Sequence, residues 1–156
     1  MAKLKPGDRA PAFSLKDQDG NTVELSQFKG KKVFIYFYPK ADTPGCTNQS
    51  CSVSAAMPDL KNLNVSSIGI SPDSPKRQKS FDEKYSLNFP LLADEDRRTA
   101  QAWGAFGAKT MDGKKTEGII RSSFLIDEDG SIIEAWYNVK PDDTVPKALE
   151  ALKRKL

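Results

Sequence analysis

Hydrophobic positions along the chain follow two rhythms. Residues 33–38 form a short, unbroken run of aromatic and β-branched side chains, which predicts a strand buried on both faces of a mainly parallel sheet. Residues 65–70 predict the next strand, ending in the turn Ser71-Pro72-Asp73, and residues 90–93 a short third one. Helical spacing takes over in between. Val53, Ala56, Leu60 and Leu63 recur with that period after Thr43 and Pro44, a favoured N-cap followed by a favoured first helical residue. Pro58 lies inside this pattern, and an internal proline kinks or breaks a helix, so a kink or a second short helix is expected there. Ser74 is placed to cap a helix from Pro75 to about Tyr85, and residues 94–103 predict another, stopped by Gly104.

The ends of the chain read differently. Residues 13–15 and 22–25 flank Asp17-Gln18-Asp19-Gly20-Asn21, a hairpin signal, and residues 26–30 suit a helical turn closed by Gly30. Glycines at 104, 107, 113 and 118 predict a long loop or loose hairpin over 104–119. Residues 121–127 and 132–137 predict an antiparallel pair around Asp127-Glu128-Asp129-Gly130. A last helix, capped by Thr144 and running to Leu156, carries Val145, Ala148, Leu149 and Leu152 on one face. Parallel strands joined by helical crossovers, followed by antiparallel ones, make an α/β sandwich: a mixed sheet flanked by helices, with the N-terminal β-hairpin added to it. One domain over residues 1–156 is expected.

Charge and composition narrow the function. The net charge of +3 is spread among interspersed acids, which leaves no basic patch for a nucleic acid. No apolar run approaches the ~18 residues of a membrane span, and residues 1–7 lack a signal-peptide core, so a reducing cytoplasm is the expected compartment. There, two cysteines five positions apart argue for redox or catalytic use over a structural staple. Histidine is absent, which removes Ser-His and Cys-His nucleophile–base pairs and His-ligated metal sites. Two cysteines alone do not close a zinc site, so no metal and no cofactor are expected.

With Thr43 as cap, Cys46 is the third helical residue, among backbone N–H groups without intrahelical partners. Those donors and the positive end of the helix dipole favour a thiolate over a thiol. A small buried hydrophobe is the alternative for Cys46. Read from the residues alone, Thr43 is a helix start. In a continuous helix residues 46 and 51 stand ~8.6 Å apart at Cα, beyond the ~7 Å within which a disulfide forms without backbone movement. The two cysteines are therefore comfortable in a helix or in a disulfide, but not in both.

The string Phe37-Tyr38-Pro39-Lys40-Ala41-Asp42-Thr43-Pro44-Gly45-Cys46-Thr47, with Cys51 following, resembles the active-site signature of peroxiredoxins, in the bacterioferritin-comigratory-protein or peroxiredoxin Q branch. Gly7-Asp8-x-Ala10-Pro11-x-Phe13, Gly69-Ile70-Ser71 and Arg121-Ser122-Ser123-Phe124-Leu125-Ile126-Asp127-x-Asp129-Gly130 are of the same type. The resemblance implies a thioredoxin-like fold and a thiol-dependent peroxidase acting on hydrogen peroxide and organic hydroperoxides. It further implies Cys46 as the thiolate that attacks the O–O bond and Cys51 as the resolving cysteine that condenses with the sulfenic acid. Thr43 is similar to the hydroxyl touching thiolate and peroxide, Pro39 to the shielding proline, and Arg121 to the arginine holding the thiolate and polarising the peroxide. Thioredoxin or a similar dithiol would return the disulfide to thiols, and a monomer is expected from the branch. Gln49 and the stretch Ser52-Val53-Ser54-Ala55-Ala56 depart from the branch pattern, where an acidic residue and an Arg-Asp pair are common; these changes bear on helix-stabilising charges and on the reductant-docking surface. A thioredoxin-type oxidoreductase is the rival enzyme, although its C-x-x-C spacing is absent. A redox-switched binding or chaperone module is the rival of another class.

Overall fold

The computed structural model describes residues 3–111 and 113–154. Its main sheet joins β1 (Ser14–Lys16), β2 (Thr22–Glu24), β3 (Lys32–Phe37), β4 (Val65–Ser71), β5 (Leu91–Ala93), β8 (Ser122–Ile126) and β9 (Ile132–Trp136) in the order β2-β1-β5-β4-β3-β8-β9. The strands β3, β4 and β5 run parallel, while β8 is antiparallel to β3 and β1 to β5. A separate hairpin, β6 (Phe106–Met111) with β7 (Lys114–Ile119), forms in the glycine-rich stretch. The helices are α1 (Pro44–Asn62), α2 (Pro75–Tyr85), α3 (Arg98–Ala102) and α4 (Thr144–Arg154).

The apolar run in β3 has the expected cause. Phe34, Tyr36 and Tyr38 face a core shared with Val53, Ala56 and Leu60 of α1, Phe81 of α2, and Ala148, Ala151 and Leu152 of α4. Val33, Ile35 and Phe37 face the opposite core, with Ala100 of α3, Trp103 and Phe124. Both faces of the strand are covered, so no position can be polar without a buried partner.

Three expectations need correction. The second short helix expected at Pro58 does not form: α1 is one helix of 19 residues with Pro58 inside it, on the exposed side. Burial of Val53, Ala56 and Leu60 against the sheet outweighs the ~3 kcal/mol an internal proline costs. The helix expected over 94–103 is only α3, because Arg97 takes the left-handed conformation with φ 62°. Buried Asp94 instead accepts from the N–H groups of Thr99 at 3.2 Å and Ala100 at 2.9 Å, satisfying the start of α3 from four residues upstream of it. Thr144 is no cap either: a 3-10 turn, Pro141–Asp143, runs straight into α4. The expected end of that helix at Leu156 lies outside the described residues.

Candidate active site

Cys46 sits in the first turn of α1, 1% exposed, and Nη2 of Arg121 lies 3.3 Å from its Sγ. Arg121 immediately precedes β8, and its carbonyl accepts from Val139 N–H at 2.9 Å. The guanidinium reaches across the first turn of α1 where Gly45 leaves room: a Cβ there would stand 3.3 Å from Nη2. Its second nitrogen, Nη1, donates to Oε1 of Gln49 at 2.5 Å, and Nε2 of Gln49 donates to the Thr144 hydroxyl at 2.9 Å. That hydroxyl in turn donates to Lys40 O at 3.1 Å. Arg121 is therefore gripped at one end and aimed at sulfur with the other.

Thr43 has extended backbone geometry at the N-cap position, but its side chain makes no cap bond. The hydroxyl donates to Lys40 O at 2.9 Å. With its proton committed there, the oxygen retains lone pairs for an incoming donor. The capping role expected from the sequence is not the one it fills. Pro39 and Arg121 share the wall of a cavity of about 590 Å³ that also includes Ile120, Tyr137, Val139 and Pro141. Thr43 lines a separate depression with Asp42, Pro44, Lys84 and Tyr85. Of the five residues singled out by sequence, the structure joins Cys46 to Arg121 directly, places Pro39 and Arg121 on the wall of one cavity, and puts Thr43 at the start of the helix that carries both cysteines.

Cys51 is half-buried on α1 and packs against the core cluster that contains Cys46; both cysteines are free. On the same helix, the Ser50 hydroxyl bonds to the Tyr36 hydroxyl of β3 at 2.7 Å. Burial raises the Tyr36 phenol far above its ordinary range, against the Ser50 bond, with Cys46 and Cys51 adding to the rise and Arg121 opposing it. Tyr38 is also raised, again by burial first. Neither tyrosine is a proton acceptor near neutral pH.

Sequence reading missed Gln49 and Thr144 as members of this network. A signal for Gln49 existed. The buried face of α1 reads Cys46, Gln49, Ser50, Val53, so two polar residues occupy positions where helical periodicity calls for apolar ones, and a buried polar side chain needs partners. Among the described residues no group of three or more His, Cys, Asp and Glu gathers to hold a metal, and no helix is long and apolar enough to cross a membrane.

The AhpC/TSA family model matches residues 6–135. Peroxiredoxin Bcp of Escherichia coli strain K12 is 47% identical over 153 residues, covering 98% of each chain. The solved structure of Xylella fastidiosa PrxQ superposes with a TM-score of 0.92 at 30% identity over 99% of each chain. That of Xanthomonas campestris bacterioferritin comigratory protein, described for its alkyl peroxide reduction activity, gives 0.86 at 34% identity over 92% of this chain and 91% of that one.

Proposed function

The chain belongs to the AhpC/TSA family, with Bcp and peroxiredoxin Q proteins among its relatives, and from this we propose that it is a thiol peroxidase in which Cys46 is the attacking residue. The observation that carries the reading is Arg121 Nη2 at 3.3 Å from a sulfur buried at a helix N-terminus. With no histidine to act as base, the groups placed to interact with charge at the sulfur are the Arg121 guanidinium and the N–H groups of the helix start. Tyr36 and Tyr38, both raised by burial, are not alternatives.

In the proposed cycle the Cys46 thiolate attacks the nearer oxygen of ROOH. The S–O bond forms as the O–O bond breaks, leaving a sulfenic acid on Cys46 and RO⁻, which takes a proton and departs as alcohol or water. Arg121 offers N–H donors to the charge growing on the leaving oxygen. Thr43, its own proton given to Lys40 O, accepts from the peroxide O–H and so orients it. Pro39 walls the Arg121 side of the cavity, limiting water there. The Cys51 thiol then attacks the sulfenic sulfur, expelling water and forming the disulfide. A dithiol such as thioredoxin supplies two electrons and two protons to restore both cysteines.

The test separates peroxide reduction from thiol–disulfide exchange. Purified protein with thioredoxin, thioredoxin reductase and NADPH is expected to consume NADPH only when hydrogen peroxide or an organic hydroperoxide is added, and not to reduce insulin disulfides without peroxide. Insulin reduction in the absence of peroxide contradicts the reading.

Gly45→Ala is expected to split stability from activity. Alanine is favoured over glycine in a helix by ~0.8–1 kcal/mol, so thermal stability should hold or rise slightly. The new Cβ, 3.3 Å from Arg121 Nη2 and 3.6 Å from Pro141 Cγ, would displace the guanidinium and slow the peroxide reaction ~10-fold or more. An unchanged peroxide rate in stopped flow would show that Arg121 does not need this close approach.

A further inference from the structure

We infer that Asp73, two residues past the C-terminal end of β4 and at the same edge of the sheet as the end of β3, is a positioning residue for the loop that carries Pro39 and Thr43. The inference rests on the peroxidase reading and adds a component to it. The loop 39–43 joins β3 to α1. Its middle residue, Ala41, is 3% exposed and donates its backbone N–H to Asp73 Oδ2 at 2.6 Å. The Asp73 side chain is only 7% exposed, so this is a charge-assisted bond formed out of water.

The carboxylate is itself held by two further donors, one of which is fixed in turn by the Asp73 backbone. The Ser71 hydroxyl donates to the same Oδ2 at 2.8 Å, Asp73 N–H donates back to Ser71 Oγ at 3.2 Å, and Arg77 Nε lies 3.1 Å from Oδ1. Ser71 Oγ accepts from buried Gln78 Nε2 at 2.8 Å, while Gln78 Oε1 accepts from the Tyr38 hydroxyl at 2.6 Å and Nε2 also donates to Leu92 O at 3.0 Å. One polar chain therefore ties the ends of β3, β4 and β5 together and ends on the N–H of Ala41. The next residue is under constraint too. Asp42 is held at φ 61°, and its carboxylate accepts from Lys84 and Tyr85 of α2. A left-handed aspartate is sparsely populated and persists where its surroundings impose it.

These clips bear first on Thr43, which follows the loop directly; Arg121 beside Cys46 is reached from it only through Lys40 O, the Thr144 hydroxyl and Gln49. The sulfur and guanidinium are placed by α1, by the start of β8 and by Gln49. Thr43 inherits its position from residues 40–42, through Lys40 O and the backbone after Ala41. Releasing Ala41 should therefore misplace the acceptor for the peroxide O–H while leaving the sulfur as reactive as before toward a reagent that needs no such orientation.

The experiment compares two reactions of Cys46 in the same protein: with hydrogen peroxide in stopped flow, and with iodoacetamide at one fixed pH. Asp73→Ala is expected to lower the peroxide rate constant ~10- to 100-fold and to leave alkylation within about twofold. Asp73→Asn keeps a carbonyl oxygen for Ala41 N–H and should recover the peroxide rate to within about threefold of wild type. An unchanged peroxide rate in Asp73→Ala, or parallel falls in both reactions, overturns the inference. Should Asp73→Ala fail to fold by circular dichroism, Ser71→Ala carries the same comparison, since it frees the carboxylate to turn from Ala41; equal rates there overturn it as well. A wild-type protein that does not react with peroxide sinks the peroxidase reading instead, before any variant is compared.

Discussion

Cys46→Ser is expected to leave hydrogen peroxide untouched, with a rate at least about a thousandfold below wild type, equivalent to ~4 kcal/mol of transition-state stabilisation. The reason is that no other group can take over. Serine keeps the shape of the site but is not ionised near neutral pH, and neither histidine nor a titrating tyrosine lies beside it to remove its proton. Arg121 and the helix N-terminus favour an anion but do not create one from a hydroxyl. Cys51→Ser should behave differently. It retains the buried sulfur and its Arg121 partner, so it is expected to consume one equivalent of peroxide per chain in a fast phase and then stop when thioredoxin is the only reductant. The mass of the arrested protein should show one added oxygen, and a second where peroxide persists, because an unresolved sulfenic acid climbs the oxidation ladder. Sustained turnover by Cys51→Ser with thioredoxin would mean that Cys51 does not resolve the intermediate. Residual steady turnover by Cys46→Ser would remove the central assignment.

Much of the fold and of the candidate site is legible in the sequence, for physical reasons that differ from residue to residue. The strand β3 declared itself because burial on both faces leaves an unbroken apolar run. The start of α1 did so through Thr43-Pro44, and that of α2 through Ser74-Pro75, where Ser74 accepts from Arg77 N–H. Cys46 and Arg121 stood out through the motif they share with peroxiredoxins. What the chain did not disclose was partnership across long separations. Gln49 looked like a missing charge, yet it is 0% exposed and joins Arg121 to Thr144, 72 residues away from the first and 95 from the second. An amide does both jobs because it donates and accepts, where a carboxylate only accepts. Thr144 was misread as a cap because its hydroxyl has the chemistry of one; Pro141 and the 3-10 turn displaced it from that role. In sequence, Asp73 is only the last residue of the turn Ser71-Pro72-Asp73. Its importance comes from Ala41, whose backbone N–H carries no sequence signal at all.

Conversion of the reduced protein to the Cys46–Cys51 disulfide is expected to unwind the first part of α1, seen as faster amide exchange over residues 45–53 by at least about a hundredfold. The starting point is a helix that continues without interruption from Pro44 to Asn62 with both cysteines free. Its geometry keeps their Cα atoms ~8.6 Å apart, and a disulfide without backbone movement needs less than ~7 Å. Shortening that gap takes Gln49 and Ser50 off the buried face on which both are 0% exposed. Three bonds break as a result: Arg121 to Gln49, Gln49 to Thr144, and Tyr36 to Ser50. At about 1 kcal/mol each, more for the one involving the guanidinium, they amount to ~3–5 kcal/mol holding the helix start in place. That is enough to protect these amides strongly in the reduced state, and little enough for disulfide formation to overcome. The change should stop near Val53. Beyond it Ala56 and Leu60 stay buried against the sheet, and the Ser54 hydroxyl donates to Leu87 O at 2.9 Å, so amides of 56–62 should keep their protection in both states. Tyr36→Phe removes one of the three bonds without touching either cysteine, and should raise exchange over 45–53 in the reduced protein while leaving the disulfide form unchanged. Equal protection of 45–53 in reduced and disulfide-bonded wild type would mean that the two sulfurs meet by some route other than unwinding.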